Sequence, residues 1–192
     1  MITIGIDIST SIVGISCINE KQQIKYISHI DLRKVKSADY GTMADLVQLE
    51  LNKIKSTFPN ESFSIFVEEA GKKYKMGTSS AATIFMLARF NGIVCYCAYK
   101  TFGTLPIELD VKKARKSLGL SISSQKATAT QKKKQIKLDV IDFLLNIKLY
   151  SPDDLGITKT TYGNWQEWSY DRADSLVIAL AGHAHLFSSR SS

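Results

Sequence analysis

Residues 2–18, Ile2-Thr3-Ile4-Gly5-Ile6-Asp7-Ile8-Ser9-Thr10-Ser11-Ile12-Val13-Gly14-Ile15-Ser16-Cys17-Ile18, decide the fold. β-Branched residues crowd 2–8 and 13–18, which read as two strands, and Ser9-Thr10-Ser11 leaves room only for a tight link between them. Ile24, Tyr26 and Ile27 open a third run that reaches Leu32. Three sequential strands with short links form an antiparallel meander. The first strand carries a carboxylate, Asp7, which is costly to bury unpaired. It belongs at the strand surface facing a cation or hydrogen-bond donors, unless it merely caps the following turn.

Beyond the meander, Met43, Leu46, Val47, Leu51, Ile54 and Phe58 recur at helical spacing until Pro59-Asn60 ends the pattern. Residues 63–67 form a short apolar strand closing on Glu68-Glu69, and the intervening helix implies that it joins the sheet through a parallel crossover. Ser79-Ser80 caps a helix running to about Tyr99, apolar on nearly every face, so it is buried centrally or covered by a partner. A fifth strand at 105–109, a short basic helix at 111–118, a flexible basic linker at 119–130 and an amphipathic helix at 131–149 follow. An irregular insertion at 150–169 holds Trp165 and Trp168, and a last helix spans about 170–187. The expectation is one α/β domain over 1–192: a mixed five-stranded sheet, three antiparallel strands plus two parallel, flanked by helices.

Composition narrows the class. With 44% hydrophobic and 22% charged residues and 3 Pro, the chain has the make-up of an ordinary globular protein. Cys17, Cys95 and Cys97 form neither a disulfide framework nor a zinc set, and they read as core thiols of a reducing compartment. The N-terminus lacks a basic n-region and meets Asp7 at once, unlike a signal peptide. The apolar run 81–98 contains Arg89, Asn91 and Gly92, a poor membrane span, so the expected location is the cytoplasm with no membrane partner. The net charge of +7 is unevenly spread: residues 71–137 hold 14 basic residues against Glu108 and Asp110 alone. A cationic middle third suits a polyanion, and the carboxylate-rich remainder suits a site that holds cations.

Four acids carry the chemistry. In a strand, Glu68 and Glu69 point to opposite faces, and pattern alone cannot choose which one joins Asp7. Asp171-Arg172-Ala173-Asp174 opens the last helix, and its i, i+3 spacing puts both carboxylates on one face, although acids there could also answer the helix dipole. Convergent carboxylate oxygens match hard Mg²⁺ or Mn²⁺, and two such ions can activate a water and stabilise the leaving oxygen in phosphodiester hydrolysis. His183 and His185 stand at i, i+2, poor ligand spacing, and read as ordinary surface or interface residues; His29 carries no evident chemistry. Trp165 and Trp168 either stack on bases or pack as a lid.

Gly5-Ile6-Asp7-Ile8-Ser9 with Gly14, Phe66-Val67-Glu68-Glu69-Ala70, the basic segment 111–137 and Asp171-Arg172-Ala173-Asp174-Ser175 together resemble the RuvC-like Holliday junction resolvases, especially their phage-encoded branch. The resemblance covers nearly the whole chain in order. It implies a ribonuclease H-like fold, a homodimer, and paired symmetric nicks in a four-way DNA junction with two Mg²⁺ or Mn²⁺ ions per active site. By motif position Asp7, Glu68, Asp171 and Asp174 would be both the catalytic set and the metal ligands. Lys72, Lys73, Lys75, Lys112, Lys113, Arg115, Lys116, Lys126, Lys132, Lys133, Lys134 and Lys137 would follow the DNA, with Tyr74 near the place of the family's junction-wedging aromatic.

Three other readings stay open: another ribonuclease H-like nuclease acting on other branched DNA or on RNA, a non-catalytic DNA-binding protein, and an actin-like ATP-binding fold. The last expects a glycine in the first turn, where Ser9-Thr10-Ser11-Ile12 stands.

Overall fold

In the computed structural model, which describes residues 1–36, 39–69, 81–120, 129–148 and 150–188, the first three runs form the expected meander. Strand β1 (Ile2–Asp7) pairs antiparallel with β2 (Ile12–Ile18), and β2 with β3 (Ile24–Asp31). Ser9 shapes the first link, its hydroxyl donating to the Ile12 carbonyl at 2.7 Å and accepting from the Ile12 amide at 3.0 Å. Helix α1 (Tyr40–Thr57) starts at Asp39, whose carboxylate accepts from the Thr42 amide, and buries Met43, Val47, Leu51 and Ile54. That helix crosses over to β4 (Phe63–Glu68), which lies parallel to β1. Helix α2 (Ala81–Phe102) leads to β5 (Ile107–Leu109), parallel to β4, and completes a sheet of order β3-β2-β1-β4-β5. The expected mixed sheet is the one observed.

Helix α3 (Val111–Ser117) is capped by Asp110, which accepts from the Lys112 and Lys113 amides. Helix α4 (Ala129–Asp142) runs into a π-helical turn, Phe143–Ile147, and α5 (Glu167–Ser188) closes the chain. Several boundaries differ from expectation: α2 runs on to Phe102, and α4 begins at Ala129, inside the expected linker, whose residues 121–128 lie outside the described residues. Strand β5 begins at Ile107, because Pro106 has no amide for the ladder and Leu105 is exposed. Helix α5 begins at Glu167, three residues early, which moves Asp171 and Asp174 beyond the first turn, where the helix dipole acts most strongly.

The two faces of the sheet are covered differently. Ile4, Ile6, Ile15, Cys17, Ile65 and Val67 join α1 and α2 in one apolar core. On the other face Leu155, Ile157, Val140, Ile141, Phe143 and Leu144 pack with Ala173, Leu176, Val177 and Leu180 of α5. Leu155 and Ile157 belong to the irregular segment, which is therefore folded onto the core. Cys17 and Cys97 are buried free thiols and Cys95 is half-buried.

By length and composition α2 could cross a membrane despite Arg89, Asn91 and Gly92, the sole such helix among the described residues. It is nonetheless part of the core: Phe90, Asn91, Val94, Cys97, Ala98 and Thr101 are buried. Its outer side carries Phe85 and Tyr96, 67% and 63% exposed.

Candidate active site

Helix α5 lies on the sheet at backbone distance, and glycine makes this possible. A Cβ at Gly14 would stand 2.0 Å from the Asp171 carbonyl oxygen, and one at Gly5 2.2 Å from the Ser175 carbonyl oxygen. No L side chain fits at either position. Between them, the buried hydroxyls of Ser16 and Ser175 meet at 2.7 Å. Further along, Gly182 receives the Phe66 ring in the space its missing side chain leaves.

This seat decides which carboxylates meet. Asp7 is paired in register with Gly14, and Gly5 with Phe66, so Asp7, Gly14, Gly5 and Phe66 share the α5 face. Two residues beyond Phe66, Glu68 falls on the same face, and its carboxylate acts electrostatically on Asp7. Glu69 lines an adjoining open hollow with Glu108, Asp110, Lys113 and His185. The strand end is held from α2 by the buried Asn91, whose amide donates to the Glu68 carbonyl at 3.3 Å. In the sequence Asn91 is only a polar interruption of an apolar run; a buried amide on an apolar helix is itself a sign of a backbone to support.

The electrostatics are those of crowded like charges. Burial, then repulsion from Asp174, Glu68 and Asp171, pushes the Asp7 carboxyl well above its ordinary range. Burial also raises Glu68, with Asp174 adding and Arg115 opposing. Asp171 is pushed up to about 6 by burial, against the attraction of Lys137 and with repulsion from Asp174. Asp174 bonds Arg115: Nη2 donates to Oδ1 at 2.6 Å, with both side chains about 85% buried.

Among the described residues, no three His, Cys, Asp or Glu side chains already stand at ligand spacing. The donor set still suits a hard divalent cation, since all four groups are carboxylates and the guanidinium on Asp174 already marks a cation position. Mutual repulsion explains why the set is not drawn together without positive charge.

The basic residues divide into three groups. Arg115 and Lys137 border the carboxylates, and Lys137 also lies over the Tyr170 ring at 5.3 Å. Lys112, Lys113, Lys116 and Lys134 are exposed. Lys72, Lys73, Tyr74, Lys75, Lys126 and the Ser79-Ser80 cap lie outside the described residues, as do the side chains of Lys132 and Lys133 on α4.

The histidines and tryptophans have packing roles that the sequence did not disclose. His183 is buried rather than on the surface, and its Nε2 lies 3.1 Å from the Glu20 carbonyl. Trp168 stacks on His29 with ring centroids 4.8 Å apart, and the Arg172 guanidinium lies over the same indole at 4.6 Å. Arg172 also donates to His29 Nδ1 and to the Gly156 carbonyl, tying the irregular segment to the sheet through the residue that directly follows Asp171. Trp165 meets Lys159 across a short β-bridge.

No protein-family model and no curated protein matches the chain. Solved structures do. Thermus thermophilus RuvC in complex with a Holliday junction substrate matches at a TM-score of 0.58 and 13% identity, over 100% of this chain and 97% of that one. A second Thermus thermophilus RuvC structure matches at 0.57 and 15%, over 100% and 96%. The yeast mitochondrial Holliday junction resolvase Ydc2 matches at 0.57 and 16%, over 98% and 81%. At these identities the likeness is one of fold: the chain has the ribonuclease H-like fold of the RuvC-type junction resolvases.

Proposed function

We propose that the protein is a metal-dependent endonuclease that resolves four-way DNA junctions by paired symmetric nicks, with Asp7, Glu68, Asp171 and Asp174 as its catalytic, metal-holding set. The observation that carries this reading is the seat of α5 on Gly5 and Gly14, which brings two helix acids within electrostatic reach of two strand acids. Nothing in packing requires four carboxylates within repelling reach of one another, and a cation that they hold would explain their cost. Mg²⁺ or Mn²⁺, two ions when fully loaded, would supply Lewis-acid activation of water and stabilisation of the leaving 3′ oxygen. The chain's own part is to fix the carboxylates: β1 and β4 set Asp7 and Glu68, and one helical face sets Asp171 and Asp174. Exposed Lys112, Lys113, Lys116 and Lys134 would take the phosphates, together with Lys72, Lys73, Lys75, Lys126, Lys132, Lys133 and Lys137, and Tyr74 would stand at the branch.

A homodimer belongs to this reading, because opposed strands need two sites. The exposed Phe85 and Tyr96 side of α2 is the candidate contact, whereas Phe90 is core. The proposal extends to a single nuclease domain over 1–192, a phage-type lineage and a cytoplasmic location.

The test offers a four-way junction, linear duplex, flap and RNA:DNA hybrid side by side with Mg²⁺. Symmetric nicking confined to the junction is expected. Cleavage of the hybrid or flap with the junction intact would move the protein to another nuclease class, and no cleavage at all would leave a DNA-binding protein.

A further inference from the structure

We infer that Arg115 is the internal counter-cation of the metal-free site: it holds Asp174 until a divalent ion takes that carboxylate, and it then passes to a backbone phosphate of the DNA. The inference rests on the proposed metal site and adds to it a positioning residue. Arg115 is one of four basic residues on the seven-residue helix α3, and its neighbours Lys112, Lys113 and Lys116 are exposed. Arg115 alone turns inward, to 14% exposure, and reaches Asp174. Its guanidinium also attracts Glu68, so it faces two of the four acids.

Two details distinguish this pair from a fixed structural bridge. A guanidinium offers five donors in a planar fork, yet only the Nη2 bond to Asp174 is formed, and Nε is buried with no partner among the described residues. A structural Arg that far from solvent is ordinarily satisfied on most sides. Second, Asp174 is bonded through one oxygen by a single side chain reaching from α3, whose backbone is anchored separately by buried Ala114 and by Leu120 just beyond the helix. The arrangement lets the guanidinium leave without unpacking a core. A released Arg115 would stand among the exposed lysines of α3, where phosphates are expected, and guanidinium matches phosphate as well as it does carboxylate.

Mg²⁺ binding to the DNA-free protein, read by calorimetry, tests the first half. Arg115→Ala should tighten Mg²⁺ at least about tenfold, the scale of one charge-assisted hydrogen bond. Arg115→Lys, which keeps the charge, should return affinity toward wild type; Arg115→Gln, which keeps the bulk, should behave like Ala. Loosened packing would instead weaken binding in both neutral variants and would not be rescued by Lys, and that result would overturn the inference. If Asp174→Asn weakens Mg²⁺ while Arg115→Ala does not tighten it, the metal site stands and the inference falls. If no form binds Mg²⁺, the metal reading itself falls.

Duplex affinity in EDTA tests the second half. Asp174→Asn should tighten DNA several-fold more than Asp171→Asn, which removes the same charge without freeing Arg115. Adding Arg115→Ala to Asp174→Asn should cancel the extra gain. Equal tightening by the two Asn variants would show that Arg115 does not pass to phosphate.

Discussion

The two faces of this sheet are made from the same three strands and have opposite chemistry. Toward α1 and α2 they present Ile4, Ile6, Ile15, Cys17, Ile65 and Val67, and helices rest on the tips of large side chains. Toward α5 the same strands present Gly5, Asp7, Gly14, Ser16 and Glu68, and the helix rests on backbone. The first face stabilises by burying apolar area, which tolerates small changes of shape. The second gives up that area for closeness, and closeness is what brings acids from a helix and two strands together. Under the proposed function, stability and chemistry would be separated by strand parity, one residue apart along the chain.

The sharpest way to break this contrast is Gly14→Ala. The new methyl would meet the Asp171 backbone, which cannot rotate away, so α5 must shift. A loss of about 3 kcal/mol in urea unfolding is expected, together with loss of junction cleavage. Wild-type stability with wild-type cleavage would mean that α5 is not seated on Gly14.

Acidity gives the next effect. Asp7, Glu68 and Asp171 have folded-state pKa values above their ordinary ones, so the native state binds protons more tightly than the unfolded state. Their contribution is fully present below the unfolded carboxyl range near ~4 and is lost as pH rises through the folded values, about 6 for Asp171. His29, lowered chiefly by burial, has the opposite slope near neutrality, so the comparison is wild type minus Asp171→Asn. Without metal, that difference should change by up to ~1.4 kcal/mol per pH unit between pH 4 and 6, with the variant the more stable at pH 7.5. A flat difference would mean that Asp171 does not lie among repelling, buried carboxylates.

A smaller loss is expected from Arg172→Ala. The variant forfeits the contact with Trp168 and the bonds to His29 and Gly156, and it should lose about 1–2 kcal/mol. Limited proteolysis should then cut first within 150–166, while Mg²⁺ affinity stays near wild type. Cleavage elsewhere first would show that this tie does not hold the segment. Least of all, Ile15→Val on the α1 and α2 face should cost about 1 kcal/mol and leave the junction cleavage rate unchanged.

These contrasts also explain what the sequence could and could not disclose. The first four strands were legible because β-branched residues cluster and alternate over them, and α1 because Met43, Val47, Leu51 and Ile54 keep its period. The early start of α5 was hidden, since Trp168 packs sideways onto His29 and Arg172, outside the apolar stripe that follows. Choosing between Glu68 and Glu69 needed the register of Gly5 with Phe66, a tertiary fact. A signal did exist: Gly5 shares parity with Asp7, and a glycine two residues from a strand carboxylate marks the face that something approaches closely. The pairing of Arg115 with Asp174, 59 residues apart, has no local trace at all.

The most direct test of the central claim is the rate at which Asp7→Asn nicks a four-way junction in Mg²⁺, with junction affinity measured on the same samples. Cleavage should fall at least about a hundredfold, the scale of losing a principal transition-state stabiliser, with affinity retained or tightened because the cationic surface is untouched. Cleavage near the wild-type rate at unchanged affinity would contradict it, and the crowded carboxylates beneath α5 would not be a catalytic centre.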